Sequence, residues 1–140
     1  MLKKVSGKKL GRSRTALLAL MRSQARSVIA NGYITTIESK AKVVQRFIEK
    51  LSSKAQIVSV AKRREILAEL ANDSKTVDKL LTHVSKLNRK SGFTRIIKFP
   101  ARRGDNAKMA RIEWVDKEIV EEPKAKVKET KEKEKKSGKK

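Results

Sequence analysis

The side chains able to do chemistry in this chain are almost all cations. Among 140 residues, 37 are Lys or Arg and 15 are Asp or Glu, with one histidine and no cysteine. Without cysteine there is no thiolate nucleophile, no disulfide and no thiolate metal site, a composition that fits a reducing compartment. His83 alone makes no histidine cluster for zinc. Beside Val84 it reads as a hydrogen-bonded helix histidine rather than a catalytic one. The carboxylates Glu65/Glu69 and Asp73/Asp78 read as helix-surface charges and caps rather than acid–base pairs. No P-loop, dinucleotide fingerprint, nucleophile elbow or H-E-x-x-H motif occurs. Catalysis, metal binding and cofactor binding therefore have no residues to rest on.

What cations do well is hold phosphate. A guanidinium can fork two phosphate oxygens, whereas a lysine ammonium acts as a point charge. The formal net charge is +22, and the first 30 residues carry 8 basic and no acidic side chains. A domain this cationic repels itself unless a polyanion neutralises it, and nucleic acid is the polyanion whose counterions such contacts release. Four groups stand out. The arm over residues 3–14 is basic without any acid, and its glycines let backbone approach a groove closely. Arg102-Arg103-Gly104-Asp105-Asn106 has the make-up of a phosphate-contacting hairpin tip, although an ordinary loop with exposed arginines explains it equally well. Lys40, Lys42 and Arg46 form a basic helix face without nearby compensating acid, while Arg63-Arg64 is offset by Glu65 and Glu69. The aromatics Tyr33, Phe47, Phe93, Phe99 and Trp114 are few and scattered, so no base-stacking platform is evident. Recognition of phosphate, sugar and RNA shape is expected, with steep salt dependence and no base-specific readout. A histone-like architectural DNA-binding protein satisfies the same charge. A cationic membrane-surface protein fits less well, because the first helix lacks tryptophan and its apolar face is needed by the core.

Those groups must be positioned by a modest core, since the hydrophobic fraction is 38% against roughly 45–50% in ordinary soluble domains. The apolar run Ala16–Met21 is too short for a membrane span or a signal peptide, so the chain reads as soluble and cytoplasmic. Helical spacing of Leu17, Leu20, Met21, Gln24 and Val28, widened by Leu18, Ala25 and Ile29, predicts a first helix over about 13–30, stopped by Asn31-Gly32. Tyr33–Thr36 reads as a short strand. Thr36 is the expected N-cap of a second helix striped by Ala41, Val44, Phe47 or Ile48, Leu51 and Ala55, with Glu38 in its first turn. A third helix over 59–71 buries Ile66, Leu67 and Leu70. Asn72-Asp73-Ser74 then caps a fourth with the cleanest pattern, Val77, Leu80, Leu81, Val84 and Leu87. After a turn over 88–92, the runs 93–99 and 108–115 form an antiparallel hairpin around the loop 101–107, to which Tyr33–Thr36 can add a third strand. The expected architecture is α+β: about four helices on a small antiparallel sheet of two to three strands. A basic arm (1–12), one domain (13–116) and a low-complexity Lys/Glu-rich tail (117–140), expected to be disordered, make up the chain.

The segments Gly92-Phe-Thr-Arg-Ile-Ile-Lys98, Arg103-Gly-Asp-Asn-Ala107 and Met109-Ala-Arg-Ile-Glu113 closely resemble the C-terminal hairpin of the bacterial ribosomal large-subunit L-seventeen family. Ile34-Thr-Thr36 with Lys40-Ala-Lys42, Ser6-Gly-Lys-Lys-Leu-Gly-Arg12 and Ser59-Val-Ala-Lys-Arg-Arg64 are similar too, in family order over nearly all of 1–116. The resemblance implies a non-catalytic structural protein on large-subunit ribosomal RNA near the polypeptide exit tunnel. It implies neighbouring large-subunit proteins as partners, one copy without self-association, and no cofactor or membrane. It further implies RNA-facing roles for Lys3, Lys4, Lys8, Lys9, Arg12, Lys40, Lys42, Arg63, Arg64, Arg95, Lys98, Arg102 and Arg103. The chain departs from the family at three places. Family members usually carry histidine near position 3, a His-Arg pair where Ala16-Leu17 stands, and a Leu-Ile-Thr-like run where this chain reads Leu51-Ser-Ser53.

Overall fold

The computed structural model describes residues 8–87 and 89–115. Lys3, Lys4, the turn residue Asn88 and the tail from Asp116 onward lie outside that range. Four helices and three strands follow one another as α1 (Arg14–Asn31), β1 (Tyr33–Ile37), α2 (Glu38–Ala55), α3 (Val60–Glu69), α4 (Ser74–Lys86), β2 (Thr94–Lys98) and β3 (Met109–Trp114). The antiparallel sheet has the order β1-β3-β2, so the last strand sits in the middle. Ile112 is flanked by Ile34 and Ile96, and Ala110 by Thr36 and Lys98, on the face turned to the helices.

The helix ends follow local chemistry. Ser13 caps α1 by accepting from the Ala16 N–H at 3.3 Å, and Gly32 closes it with φ 81°, a conformation that costs glycine nothing. Asp73 caps α4, its carboxylate accepting from the Thr76 N–H and from the Thr76 hydroxyl at 2.6 Å. Thr36 does not cap α2. Pairing with Ala110 holds it in β1, where its buried hydroxyl oxygen accepts from Gln24 Nε2 at 3.1 Å. The Glu38 N–H, first of α2, instead donates to the Lys108 carbonyl at 2.9 Å.

α2 is the hub, touching every other helix and all three strands. It buries Ala41, Val44, Ile48, Leu51, Ser52 and Ala55, a helical stripe on one side. α4 brings Val77, Leu80 and Val84 to the same core, and Phe93, Ile112 and Trp114 close it from the sheet. Along α1 only Ala25, Val28 and Ile29 are buried; Leu17, Leu18, Leu20 and Met21 are half-buried, because the helix start projects past the core. His83 makes a stacking contact rather than the expected hydrogen bond. Its ring lies on Trp114, centroids 5.8 Å apart and 5° from parallel. Burial, with Lys86 and Lys79 nearby, pushes its pKa below the ordinary histidine value.

Ser52 lies on the inner stripe of α2. It is fully buried, and its hydroxyl has no hydrogen-bond partner. An orphaned buried hydroxyl costs about 1–3 kcal/mol. Ser52→Ala, which removes the hydroxyl and little volume, should raise stability by about 1 kcal/mol in urea titration, with the slope unchanged.

Candidate nucleic-acid interface

The carboxylates come first, because they decide which cations are spent. Residues 8–115 hold eight, and each is committed inside the domain. Glu38 takes Lys42 at 2.7 Å. Glu65 and Glu69 share Lys54, at 3.3 and 2.6 Å, while Lys62 adds to Glu65 and Lys50 to Glu69. Asp78 takes Arg63 at 2.6 Å across α3 and α4. Glu113 takes Arg95 at 2.6 Å directly across the sheet, and Asp105 takes Arg102 in a two-pronged bond of 2.6 and 3.1 Å. Asp73 lies 3.5 Å from Arg26 besides capping α4. Glu49 accepts from the Phe93 and Thr94 N–H groups and from the Thr94 hydroxyl, tying the start of β2 to α2. The pKa directions agree. Lys42 lowers Glu38. Lys62 and then Lys54 lower Glu65, and Glu69 raises Lys54.

Two arginines are structural in a way the sequence did not signal. Arg22 donates to the Glu69 carbonyl at 2.8 Å and the Ala68 carbonyl at 3.1 Å, and Arg26 donates to the Leu70 carbonyl. They cover the exposed carbonyls at the end of α3, where positive charge suits the helix dipole. The chain there carries Ala71 and Asn72 at positive φ.

The expected RNA-facing residues now divide. Lys42, Arg63, Arg95 and Arg102 each share their charge with a carboxylate. The basic face at 40–46 is therefore not free of acid, since Glu38 stands one turn before Lys42. Lys8, Lys9, Lys40, Arg64, Lys98 and Arg103 carry no ion pair among the described residues, and all but the half-buried Lys40 are exposed. Among the described residues the Arg12 side chain bonds only the Leu10 carbonyl, at 2.8 Å. That part of the arm is not extended: the Arg12 N–H bonds the Lys9 carbonyl in a turn, with Leu10 and Gly11 both at positive φ. Lys98 and Lys108 lie near enough to Glu38 to lower its pKa, so Lys42, Lys98 and Lys108 surround one acid at the start of α2.

The hairpin tip is built. Gly104 at φ 100° makes its turn. The Asn106 N–H reaches the Arg102 carbonyl and the Arg102 N–H reaches the Ala107 carbonyl, each at 3.0 Å. Asp105 also accepts from the Ala107 N–H. Arg103, at the end of this braced turn, stays unpaired among the described residues. On the sheet's outer face lies a group the sequence did not bring together: the Arg111 guanidinium sits 4.7 Å from the Tyr33 ring centre and 5.0 Å from that of Phe99. No metal-binding cluster occurs among the described residues, and no helix there is long and apolar enough to cross a membrane.

A small α+β domain with its acids consumed internally and many of its cations left outside has the make-up of a polyanion-binding protein. Residues 20–115 match the family model described as "Ribosomal protein L17". Two relatives, both described as "Large ribosomal subunit protein bL17", come from Borrelia turicatae (strain 91E135) and Borrelia hermsii (strain HS1 / DAH). Each is 38% identical over 120 residues, covering 84% of this chain and 96% or 97% of the relative. The chain belongs to the ribosomal protein L17 family.

The Arg102 fork, helped by the Ala107 N–H, holds the Asp105 carboxyl down at about 2, from an ordinary 3.8. A carboxyl lowered on folding contributes stability that is present above its unfolded value. That contribution disappears as pH falls from about 3.8 through about 2. An NMR titration of the Asp105 carboxyl carbon should find a midpoint near 2, and Arg102→Ala should return it towards 3.8.

Proposed function

We propose that this protein is a structural constituent of the large ribosomal subunit that binds large-subunit rRNA through its unpaired cations. The observation that carries the reading is the commitment of all eight carboxylates in residues 8–115, which leaves cations on the arm, the helices and the hairpin without an ion-pair partner among the described residues. Membership of the ribosomal protein L17 family supports the ribosomal setting, and the relatives' large-subunit descriptions support the choice of subunit. A place near the exit tunnel is part of the same reading.

The mechanism is electrostatic. Lys8, Lys9, Lys40, Arg64, Lys98 and Arg103 screen phosphates on neighbouring RNA segments and hold those segments together. Lys3 and Lys4 extend the arm over residues 1–12, and the tail over 117–140 adds a weaker, mixed-charge extension. Lys42, Arg63, Arg95 and Arg102 act from within their ion pairs, presenting a fixed N–H rather than a mobile charge. Exposed Ile57, Val58 and Val60 form a neutral apolar shoulder between α2 and α3 that suits a neighbouring large-subunit protein better than phosphate. The domain needs no catalytic group for any of this.

Sedimentation of a lysate through sucrose at moderate salt should carry the protein with the large subunit. Migration with the nucleoid or at the top of the gradient would contradict the reading. In binding to purified large-subunit rRNA, deletion of residues 1–12 removes five cations. It should lower affinity strongly and make the salt dependence shallower by roughly 0.7–0.9 for each phosphate that is no longer neutralised. Lys8→Ala alone should change affinity only slightly, because binding is the sum of many modest contacts.

A further inference from the structure

Helices cover one face of the sheet; on the other, Glu113 is buried and Arg111 half-buried. Strand alternation and the register place Tyr33, Arg111 and Phe99 on that second face, diagonal to one another across β1, β3 and the end of β2. Diagonal neighbours on a sheet lie within reach of aromatic and long side chains. The Arg111 guanidinium lies over both rings. Tyr33 nonetheless stays 52% exposed and Phe99 37%. None of the Arg111 guanidinium N–H groups donates to an acceptor among the described residues, and its Nε is buried without one. The carboxylate on this face, Glu113, is held by Arg95.

Two exposed rings set around a cation with unspent donors, next to a hairpin tip bearing unpaired Arg103, offer a base a flat apolar surface and its phosphate a charge. We propose that this face takes an unstacked nucleotide of the large-subunit RNA, its base lying on Tyr33 or Phe99 and its phosphate or base edge meeting Arg111. The inference rests on the rRNA-binding reading and adds to it a contact other than phosphate screening. RNA is favoured over a protein partner by the charge, since the face offers cations and no uncommitted acid. Every base has a π-face, so this contact selects single-stranded or bulged RNA rather than a sequence.

The test is a titration of full-length protein against purified large-subunit rRNA at several salt concentrations, with folding of each variant checked by thermal melting. Tyr33→Ala and Phe99→Ala should each weaken binding by roughly 5- to 150-fold, the range seen when a base is deprived of its stacking partner. The salt slope should not change, because no phosphate contact is removed, and Tyr33→Trp should bind as the wild type does. Wild-type affinity in both alanine variants would overturn the proposal and leave the face to a neighbouring protein. Weakening accompanied by a shallower salt slope would also overturn it, since the rings would then only be holding Arg111 against a phosphate. If an alanine variant does not fold, the Tyr33→Trp chain decides. Its exposed indole emission should be quenched when rRNA binds, and unquenched emission in the complex overturns the proposal. Failure of the wild-type protein to bind rRNA at all would count against the rRNA-binding reading instead.

Discussion

A chain with 37 basic and 15 acidic side chains folds against its own charge. The acids are therefore placed where repulsion or exposed backbone would otherwise open the domain. Lys54 ties α2 to α3 through Glu65 and Glu69, Arg63 ties α3 to α4 through Asp78, and Glu113 fixes Arg95 across the sheet. Glu49 is spent on backbone N–H groups at the start of β2. Exposed pairs of this kind contribute little singly. Their common effect is to assign each carboxylate inward, so that the surplus of positive charge falls on the outside.

The same division separates arginines that build the fold from those available to a partner. Arg22 and Arg26 satisfy carbonyls at the end of α3, in a stretch where Ala71 and Asn72 have left the helical conformation. Removing either would expose backbone acceptors, and any drop in RNA binding would then follow from damage to the structure. Arg103 and Arg64 make no such bond among the described residues. Arg111 is intermediate: aromatic rings hold it in place, yet its guanidinium makes no hydrogen bond among the described residues. Net charge alone therefore overstates how many cations can meet phosphate.

Much of the fold was legible because it depends on local order. The period of Val77, Leu80 and Val84, the cap at Asp73, the stop at Gly32 and the alternation of Ala110, Ile112 and Trp114 are all set within a few residues, although Glu113, which that alternation puts on a wet face, is buried too. The helix and strand ends shifted by one or two residues, as terminal turns commonly do. What could not be read was contact between distant positions. Thr36 looked like a cap because threonine before a helix usually is one; its pairing with Ala110, far along the chain, kept it in the strand. The partners of Arg63, 15 residues away, and of Arg22, 47 residues away, leave no local mark. Tyr33 and Phe99 are far apart in the chain, and only the order β1-β3-β2 sets them on either side of Arg111. A cue was present in the alternation of β3, which puts Arg111 opposite the buried Ile112 face, but it did not say which rings would flank it.

The most direct test of the division between spent and available cations is amine-reactive footprinting by mass spectrometry. Lysine reactivity would be compared between the free protein and the protein assembled on the large subunit. Lys8, Lys9, Lys40 and Lys98 should react readily in the free protein and become protected on the subunit. Lys54, held between Glu65 and Glu69, should react slowly in both states. Unchanged reactivity of the four unpaired lysines on the subunit would contradict the account, because the charge left outside the fold would then have no polyanion to meet.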